Sequence, residues 1–243
     1  MRTVRDAKSS TPHAANGVVK ALRQLFRFAV DYDYMTSNPA TDVSYLATSS
    51  EGHHAWSEEE VAQFENFHPE GSPARLALAL LLYTGQRRSD VVRMGPQHVK
   101  DGWLTITQRK NKRRNPVTVS LPVLPELQAA IDVTPVTDLT FLKTALGRPF
   151  TSNGFGNWFR KRCDETGLRH CSAHGLRKAG ARRAAENGAT EHQLMAIFGW
   201  KTLKEAERYT RAANQKTLAA AGIETLRRDH KPNKIVPLSN GKH

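Results

Sequence analysis

The chain has 243 residues and a formal net charge of +13, since 36 lysines and arginines face 23 aspartates and glutamates. This imbalance indicates a polyanionic partner, because cations that neutralise phosphates release counterions and so strengthen binding. Hydrophobic residues make up 39% of the chain, which excludes a protein that is disordered throughout. Two cysteines exclude a disulfide framework and favour a reducing compartment, and no apolar run is long enough to span a membrane. We therefore expect a cytoplasmic protein with no membrane partner.

The first 50 residues carry one strong helix signal. Apolar residues recur on one face over 16–32, and Ser37-Asn38-Pro39 predicts a turn after them. The polar stretch 48–54 has the composition of a linker. A single helix cannot bury its own apolar face, so this segment either packs on the main domain or is the remnant of a longer N-terminal domain.

The next part of the chain predicts helices around one small sheet. Ser57 and Glu60 form a capping box for a helix over 57–67, and an almost wholly apolar helix over 73–83 should end at Gly85. A further helix is expected to begin near Ser89. Alternating polar and apolar residues over 103–108 and 117–121, around a basic turn at 109–115, predict a β-hairpin.

Helices dominate again after Phe150. The patterns predict helices over 152–166, 174–187 and 190–198, another that begins near Thr202, and an Ala-rich one over 212–226. The fold class is therefore mostly α (α+β), with a small antiparallel β-sheet or hairpin. Residues 229–243 are basic with few apolar side chains, which favours a flexible tail.

Four stretches could carry chemistry. Arg87 follows the predicted end of a buried helix, and its planar guanidinium can hold two phosphate oxygens at once, with Asp90 as a supporting partner. Lys110 in the hairpin turn could protonate a leaving alkoxide. Taken alone, each also fits an interpretation without catalysis. Arg87 could belong to a solvated ion pair, and Lys110 could belong to a basic turn that only touches phosphate.

The other two stretches lie near the C-terminus. His174 and Arg177, three residues apart, share a helix face and can converge on one group. Tyr209 is a potential nucleophile if cations hold its anion, although a lone tyrosine is most often a structural residue. His170, Cys171 and His174 do not match the usual zinc spacings and no second ligand pair is nearby in sequence, so we predict no metal site.

In order, Thr84-Gly85-Gln86-Arg87-Arg88-Ser89-Asp90, the hairpin Lys110, His174-Gly175-Leu176-Arg177, Gly199-Trp200 and Arg208-Tyr209 resemble the motifs of the tyrosine recombinase (phage integrase) family. Each motif is weak, but the ordered set is specific. The resemblance covers roughly 54–226. It implies a catalytic domain over 50–228, preceded by a remnant of a core-binding domain over 1–49 and followed by the tail.

The resemblance also implies a mechanism. Tyr209 would attack the scissile phosphodiester to form a 3′-phosphotyrosyl link, Arg87 and Arg177 would stabilise the phosphate charge, and Lys110 would protonate the 5′-oxygen. His174 would take or hold the tyrosine proton, Trp200 would support the phosphate and the tyrosine helix, and Asp90 would support Arg87 or His174. We expect no cofactor, metal or ATP. The remaining residues expected to contact DNA are Arg88, Arg109, Lys112, Arg113, Arg114, Lys161 and Arg162.

The expected partner is double-stranded DNA, with four protomers on two DNA sites, a monomer without DNA, and a nucleoid-associated protein of a prokaryote or phage. The Ala-rich helix over 212–226 is the candidate for docking on a neighbouring protomer. Trp200 stands where most family members have histidine, and Gly175 where an acidic residue is usual, with little expected effect. Three alternatives stay open: a non-catalytic DNA-binding relic, a metal-dependent nuclease, which needs clustered acidic residues, and a helix-turn-helix regulator.

Overall fold

The computed structural model of the chain describes residues 1–48, 52–110, 115–135, 139–223 and 226. The chain divides into two compact units, residues 1–52 and 53–243. The following predictions lie partly or wholly outside the described residues: the linker over 48–54, the hairpin turn with Lys112, Arg113 and Arg114, the end of the Ala-rich helix over 212–226, and the tail over 229–243.

The N-terminal unit contains α1 (Arg2–Asp6) and α2 (Pro12–Asp31). The predicted helix is confirmed, but it begins at Pro12, because proline is well suited to the first turn of a helix. Arg23 donates hydrogen bonds to the main-chain carbonyls of three residues in the segment 40–43, which holds that segment against α2. Leu25 and Phe28 on α2, and Tyr32 directly after it, lie one or two turns apart and are exposed, so they form an apolar stripe at the surface.

The second unit is built around α4 (Pro73–Thr84), which is buried along almost its whole length. Its predicted start at residue 73 and its end at Gly85 are confirmed. The other helices of the first half are α3 (Glu58–Phe67), α5 (Arg88–Val91) and α6 (Pro125–Asp132). The Ser57–Glu60 capping box is present at the start of α3.

The predicted hairpin is part of a three-stranded antiparallel sheet in the order β1 (Val99–Lys100), β2 (Trp103–Thr107) and β3 (Thr118–Pro122). Leu104 pairs with Leu121 and Ile106 with Val119, and these four side chains face the core. β1 was not predicted, since two residues are too few to show an alternating pattern.

The second half consists of α7 (Ser152–Glu165), α8 (Ala173–Glu186), α9 (Glu191–Phe198) and α10 (Leu203–Ile223). The sequence predicted two helices after Thr202, and this was wrong: α10 is continuous, because neither glycine nor proline interrupts 203–221. A small second core lies between α8, α9 and α10, next to the large one around α4. Together these helices place the ends of α4, α9 and the hairpin beside one another.

Candidate active site

Arg87 lies in the sharp turn between α4 and α5. The turn depends on Gly85, whose φ of 61° lies in the left-handed region that favours glycine. A Cβ atom at this position would also come within 2.3 Å of the Phe198 ring, so glycine permits the close approach of α9. Nη1 of Arg87 donates to Oε1 of Gln108 at 2.9 Å, which fixes the direction of the guanidinium.

Arg177 approaches the same turn from α8 and is only 5% exposed. Its Nη1 donates to the carbonyl of Gly85 at 2.5 Å, and its Nη2 donates to the carbonyl of Phe198 at 2.7 Å. The guanidinium also lies over the rings of Phe198 and Trp200, at 5.2 and 5.7 Å from their centroids. Burial, together with the charge of Arg87, lowers the pKa of Arg177 to about 9, so the side chain stays cationic at neutral pH.

Two buried glutamines connect these arginines. Gln108 accepts from Arg87 and donates from Nε2 to Oε1 of Gln86 at 2.7 Å and to the carbonyl of Phe198 at 3.0 Å. The same carbonyl also accepts from Arg177, so the two arginines are connected through Gln108 and this oxygen. Gln86 donates in turn to main-chain carbonyls near the ends of α4 and α9. A polar network with this many partners holds both guanidinium groups in fixed positions.

His174 lies one helical turn before Arg177 in the first turn of α8. Its ring packs against that of His53, with 4.7 Å between centroids, and remains partly exposed. Partial burial of the ring lowers the pKa of His174 to about 4, with further contributions from His53, Arg177, Lys178 and Arg87. At neutral pH the imidazole is therefore uncharged and can accept a proton.

These side chains open into a cleft of about 460 Å³. Arg88 was expected to bind DNA and does line this cleft; its guanidinium lies over α7, where a Cβ at Gly156 would meet Nη1 at 2.3 Å. Arg160, one helical turn after Gly156, was not predicted and also lines the cleft. The side chains that line the cleft and carry charge or can titrate are His53, Arg87, Arg88, Arg160, His174 and Arg177.

The role expected for Asp90 requires a correction. Its carboxylate is completely buried, and Oδ1 accepts from the main-chain N–H of Arg109 at 2.7 Å and pairs with Nη1 of Arg93 at 3.5 Å. These hydrogen bonds do not go to Arg87 or His174 as expected, because the side chain points from α5 towards the end of the hairpin. Asp90 thus anchors the residue that precedes Lys110.

Lys110 is exposed at the hairpin end and is not among the described residues that line the cleft. Two connections tie this part of the hairpin to the site. Asp90 holds the main chain of Arg109, and Gln108 contacts Arg87. Lys110 is therefore attached, through its two preceding residues, to the same turn that carries Arg87.

Tyr209, like Lys110, is not among the described residues that line the cleft. Its ring stacks on Trp200, with 5.3 Å between centroids and 9° between planes, and Trp200 stacks on Phe198 at 4.8 Å. Burial raises the pKa of the phenol, while the charges of Arg177 and Arg208 act in the opposite direction. The tyrosine lies next to the cationic network but faces an aromatic stack.

The other basic residues expected at DNA differ in their surroundings. Arg109 and Lys161 are exposed. Arg162 pairs with Glu165 at 2.5 Å and lies over the ring of Trp158. Its expected contact with DNA stays a prediction. Residues 161 and 162 do not line the cleft because the cleft face of α7 carries positions 152, 156, 157 and 160.

A second group of polar side chains lies outside the cleft. Sequence spacing indicated no second ligand pair for His170 and Cys171, but the fold supplies one in His54 and Glu60. The nitrogen, oxygen and sulfur atoms of these four side chains all lie within 4.8 Å of one another. Since more than a hundred residues separate the two pairs, no local spacing could have revealed them.

A sequence profile described as "Phage integrase family" matches residues 57–216. Lambda integrase (75–356), solved as a dimer bound to a COC′ core site, superposes with a TM-score of 0.73 and 19% identity, covering 86% of this chain and 77% of that one. A lambda integrase tetramer bound to a Holliday junction superposes with a TM-score of 0.69 and 20% identity, covering 83% of this chain and 63% of that one. The Tn1549 transposon integrase (82–397) in complex with circular intermediate DNA superposes with a TM-score of 0.67 and 16% identity, covering 89% of this chain and 83% of that one.

These superpositions show a shared fold. A search of curated proteins finds no match for the chain. Among the helices of the described residues, none is long and apolar enough to cross a membrane.

Proposed function

The chain belongs to the phage integrase family, and from this premise we propose that it is a site-specific tyrosine recombinase that cuts and rejoins DNA through a 3′-phosphotyrosyl intermediate. The observation that carries the proposal is the convergence of Arg87, Arg177 and His174 on one cleft. Two fixed guanidinium groups there can hold the non-bridging oxygens of a phosphodiester and stabilise the extra charge of the transition state. The two arginines are held before any substrate binds, so little reorganisation is needed when that charge develops.

In the proposed reaction, Oη of Tyr209 forms a bond to phosphorus while the bond to the 5′-oxygen breaks. The phenolic proton passes to His174, whose low pKa keeps it able to accept. Lys110 gives a proton to the departing 5′-oxygen. Rejoining reverses these steps with a new 5′-hydroxyl, so the phosphotyrosyl bond conserves the energy and no ATP is consumed.

Tyr209 has to turn from Trp200 towards the cleft for this attack. No hydrogen bond of its side chain to another described residue opposes the movement, because the ring is held by stacking on Trp200. Stacking of one aromatic pair is worth only about 1 kcal/mol beyond the buried area. We therefore propose that DNA binding, which brings a phosphate to Arg87 and Arg177, favours the tyrosine in the cleft.

Double-stranded DNA is the proposed partner. The net charge of +13 and the cationic cleft both favour a phosphate backbone. The lambda integrase structures hold DNA as a dimer and as a tetramer on a Holliday junction. By analogy we propose four protomers on two DNA sites for this chain, with α10, which includes most of the segment 212–226, as the docking element.

The test is to trap the covalent intermediate without knowing the target sequence. The chain is incubated with a pool of randomised duplexes that carry a nick, so that a short 5′-hydroxyl strand diffuses away after cleavage. Protein is then captured under denaturing conditions, and the linked DNA is sequenced. The proposal predicts a denaturant-resistant adduct enriched in one sequence, with the protein on a 3′-phosphate.

The alternatives give other results. A non-catalytic relic or a helix-turn-helix regulator would enrich one sequence in native capture but leave no covalent adduct. A metal-dependent nuclease would leave free DNA ends in its products and no linked protein. Either result would overturn the proposed recombinase.

A further inference from the structure

The four side chains of the cluster outside the cleft converge on one point. Nε2 of His54 lies 2.7 Å from Oε2 of Glu60, and Nε2 of His170 lies 2.5 Å from Oε1 of the same carboxylate. The two imidazole rings meet edge to face, with 4.8 Å between centroids. The thiol of the buried Cys171 completes the group, since all four ligand atoms lie within 4.8 Å of one another.

The hydrogen bonds of this cluster converge on Glu60. Both imidazoles have to donate from Nε2 for these contacts to be hydrogen bonds, and Glu60 also accepts from the main-chain N–H of Ser57 at 2.7 Å. A divalent cation can take the place of these contacts, because imidazole nitrogen, thiolate sulfur and carboxylate oxygen are all metal ligands. Each neutral imidazole then binds the metal through Nε2 and keeps its ring proton on Nδ1.

We propose that His54, Glu60, His170 and Cys171 bind one Zn²⁺ ion. Imidazole and thiolate suit Zn²⁺, whereas Mg²⁺ and Ca²⁺ require mainly oxygen ligands. Tetrahedral zinc, with bonds of about 2.0–2.3 Å, separates its ligand atoms by roughly 3.3–3.7 Å. The widest separation in the cluster must therefore shorten by about 1 Å, and the two contacts between imidazole nitrogen and carboxylate oxygen must lengthen by about 1 Å. Rotation of the two exposed histidine side chains can provide both changes. Binding converts the thiol to a thiolate and releases its proton to solvent.

The ligands come from three separate parts of the second unit: the segment before α3, the first turn of α3, and the connection between α7 and α8. Four protein ligands leave no open coordination position, which is typical of structural rather than catalytic zinc. The ion would thus cross-link the beginning of the unit to the start of α8. This proposal rests on the cluster alone and does not depend on the proposed recombinase activity.

The main chain around His54 shows what such a cross-link would hold. The carbonyl of His54 lies so close to α8 that a Cβ atom at Gly175 would meet it at 2.2 Å. The glycine that was expected to have little effect therefore permits this close approach. The ring of the neighbouring His53 packs on His174, and its main-chain carbonyl accepts a hydrogen bond from Nζ of Lys178 at 2.6 Å. A zinc ion at His54 would fix the residue that forms this edge of the cleft.

The competing explanation is a metal-free ion-pair cluster around Glu60. The chain is purified without a histidine tag, dialysed against metal-free buffer and titrated with Zn²⁺, and bound zinc is measured by mass spectrometry. Co²⁺ is used as a second probe, because a tetrahedral site with a thiolate ligand gives intense visible absorption. We expect about one zinc per chain and a Co²⁺ spectrum of this type.

The variants His54→Gln and Cys171→Ser should each weaken Zn²⁺ binding by more than about 100-fold, beyond the usual effect of losing an outer-shell partner. His192→Gln and Cys163→Ala are matched controls outside the cluster and should bind as the unchanged chain does. His54 is exposed, so its variant should fold, and circular dichroism checks this for all four. Absence of stoichiometric zinc, or equal binding by His54→Gln and the unchanged chain, would overturn the proposal.

Discussion

The two halves of the candidate site are held in different ways. Arg87 and Arg177 are fixed by hydrogen bonds to Gln108 and to the carbonyls of Gly85 and Phe198. Tyr209, by contrast, is held by ring stacking. The phosphate-binding half is thus preorganised, while the proposed nucleophile can change position at low cost. This difference suggests that the step controlled by DNA is the approach of the tyrosine and not the assembly of the cations.

The largest expected effect is that of Tyr209→Phe, which removes the nucleophilic oxygen and keeps the ring. Covalent adduct should fall by at least about 10³-fold, as expected when a nucleophile is removed. DNA binding should persist, because the cationic half is untouched. Gel analysis under denaturing conditions measures the adduct, and native gels measure binding. Tyr83→Phe is the control, and an adduct from Tyr209→Phe at the unchanged level would show that another residue attacks.

Next comes Arg177→Lys, which keeps the charge but removes the planar fork that bonds two carbonyls. We expect the rate of adduct formation to fall by about 10²-fold or more. Arg183→Lys, on the same helix but paired with Glu58 away from the cleft, should stay within about threefold. The rate is measured by quenching single-turnover reactions. Equal rates for both variants would mean that the fixed geometry of Arg177 does not matter.

Gln108→Met tests the connection between the two arginines. It leaves Arg87 without its acceptor and removes a donor from the Phe198 carbonyl. The free energy of unfolding should fall by about 1–3 kcal/mol. The rate of adduct formation should also fall, and by a larger factor than in the exposed control Gln128→Met. Urea denaturation and single-turnover kinetics measure the two effects. A lower stability with an unchanged rate would limit Gln108 to a structural role.

The smallest effect is the pH dependence that His174 contributes to stability. Its pKa is about 4 in the folded chain, below the ordinary value of 6.5, so between these values the unfolded chain binds the proton more strongly. Stability from this group is complete above pH 6.5 and is lost as the pH falls towards 4. His174→Gln should therefore flatten the decrease in urea midpoint between pH 7 and pH 4.5. An identical decrease in both proteins would contradict the shifted pKa.

Local signals predicted much of the fold. The capping box before α3 and the end of α4 at a glycine are short-range features, and the structure contains both of them. The sequence predicted a break between two helices after Thr202 where the structure has the continuous helix α10, because an Ala-rich pattern does not show where a helix begins. β1 was missed because it has only two residues.

The site was predicted less completely, for a different physical reason. Motif order indicated Arg87, His174 and Arg177, which do meet in the cleft. Gln108 could not be identified, because its partners lie 21 and 90 residues away in the chain. Asp90 was assigned the wrong contacts, since sequence does not say which way a side chain leaves a short helix.

Tyr209 is the residue proposed to form the covalent bond to DNA. Mass spectrometry of the trapped adduct, after digestion with trypsin and nuclease, identifies the linked residue. We expect a residual nucleotide linked through a 3′-phosphate to the peptide that contains Tyr209. A nucleotide on any other residue, or cleaved DNA with no linked peptide, would contradict it.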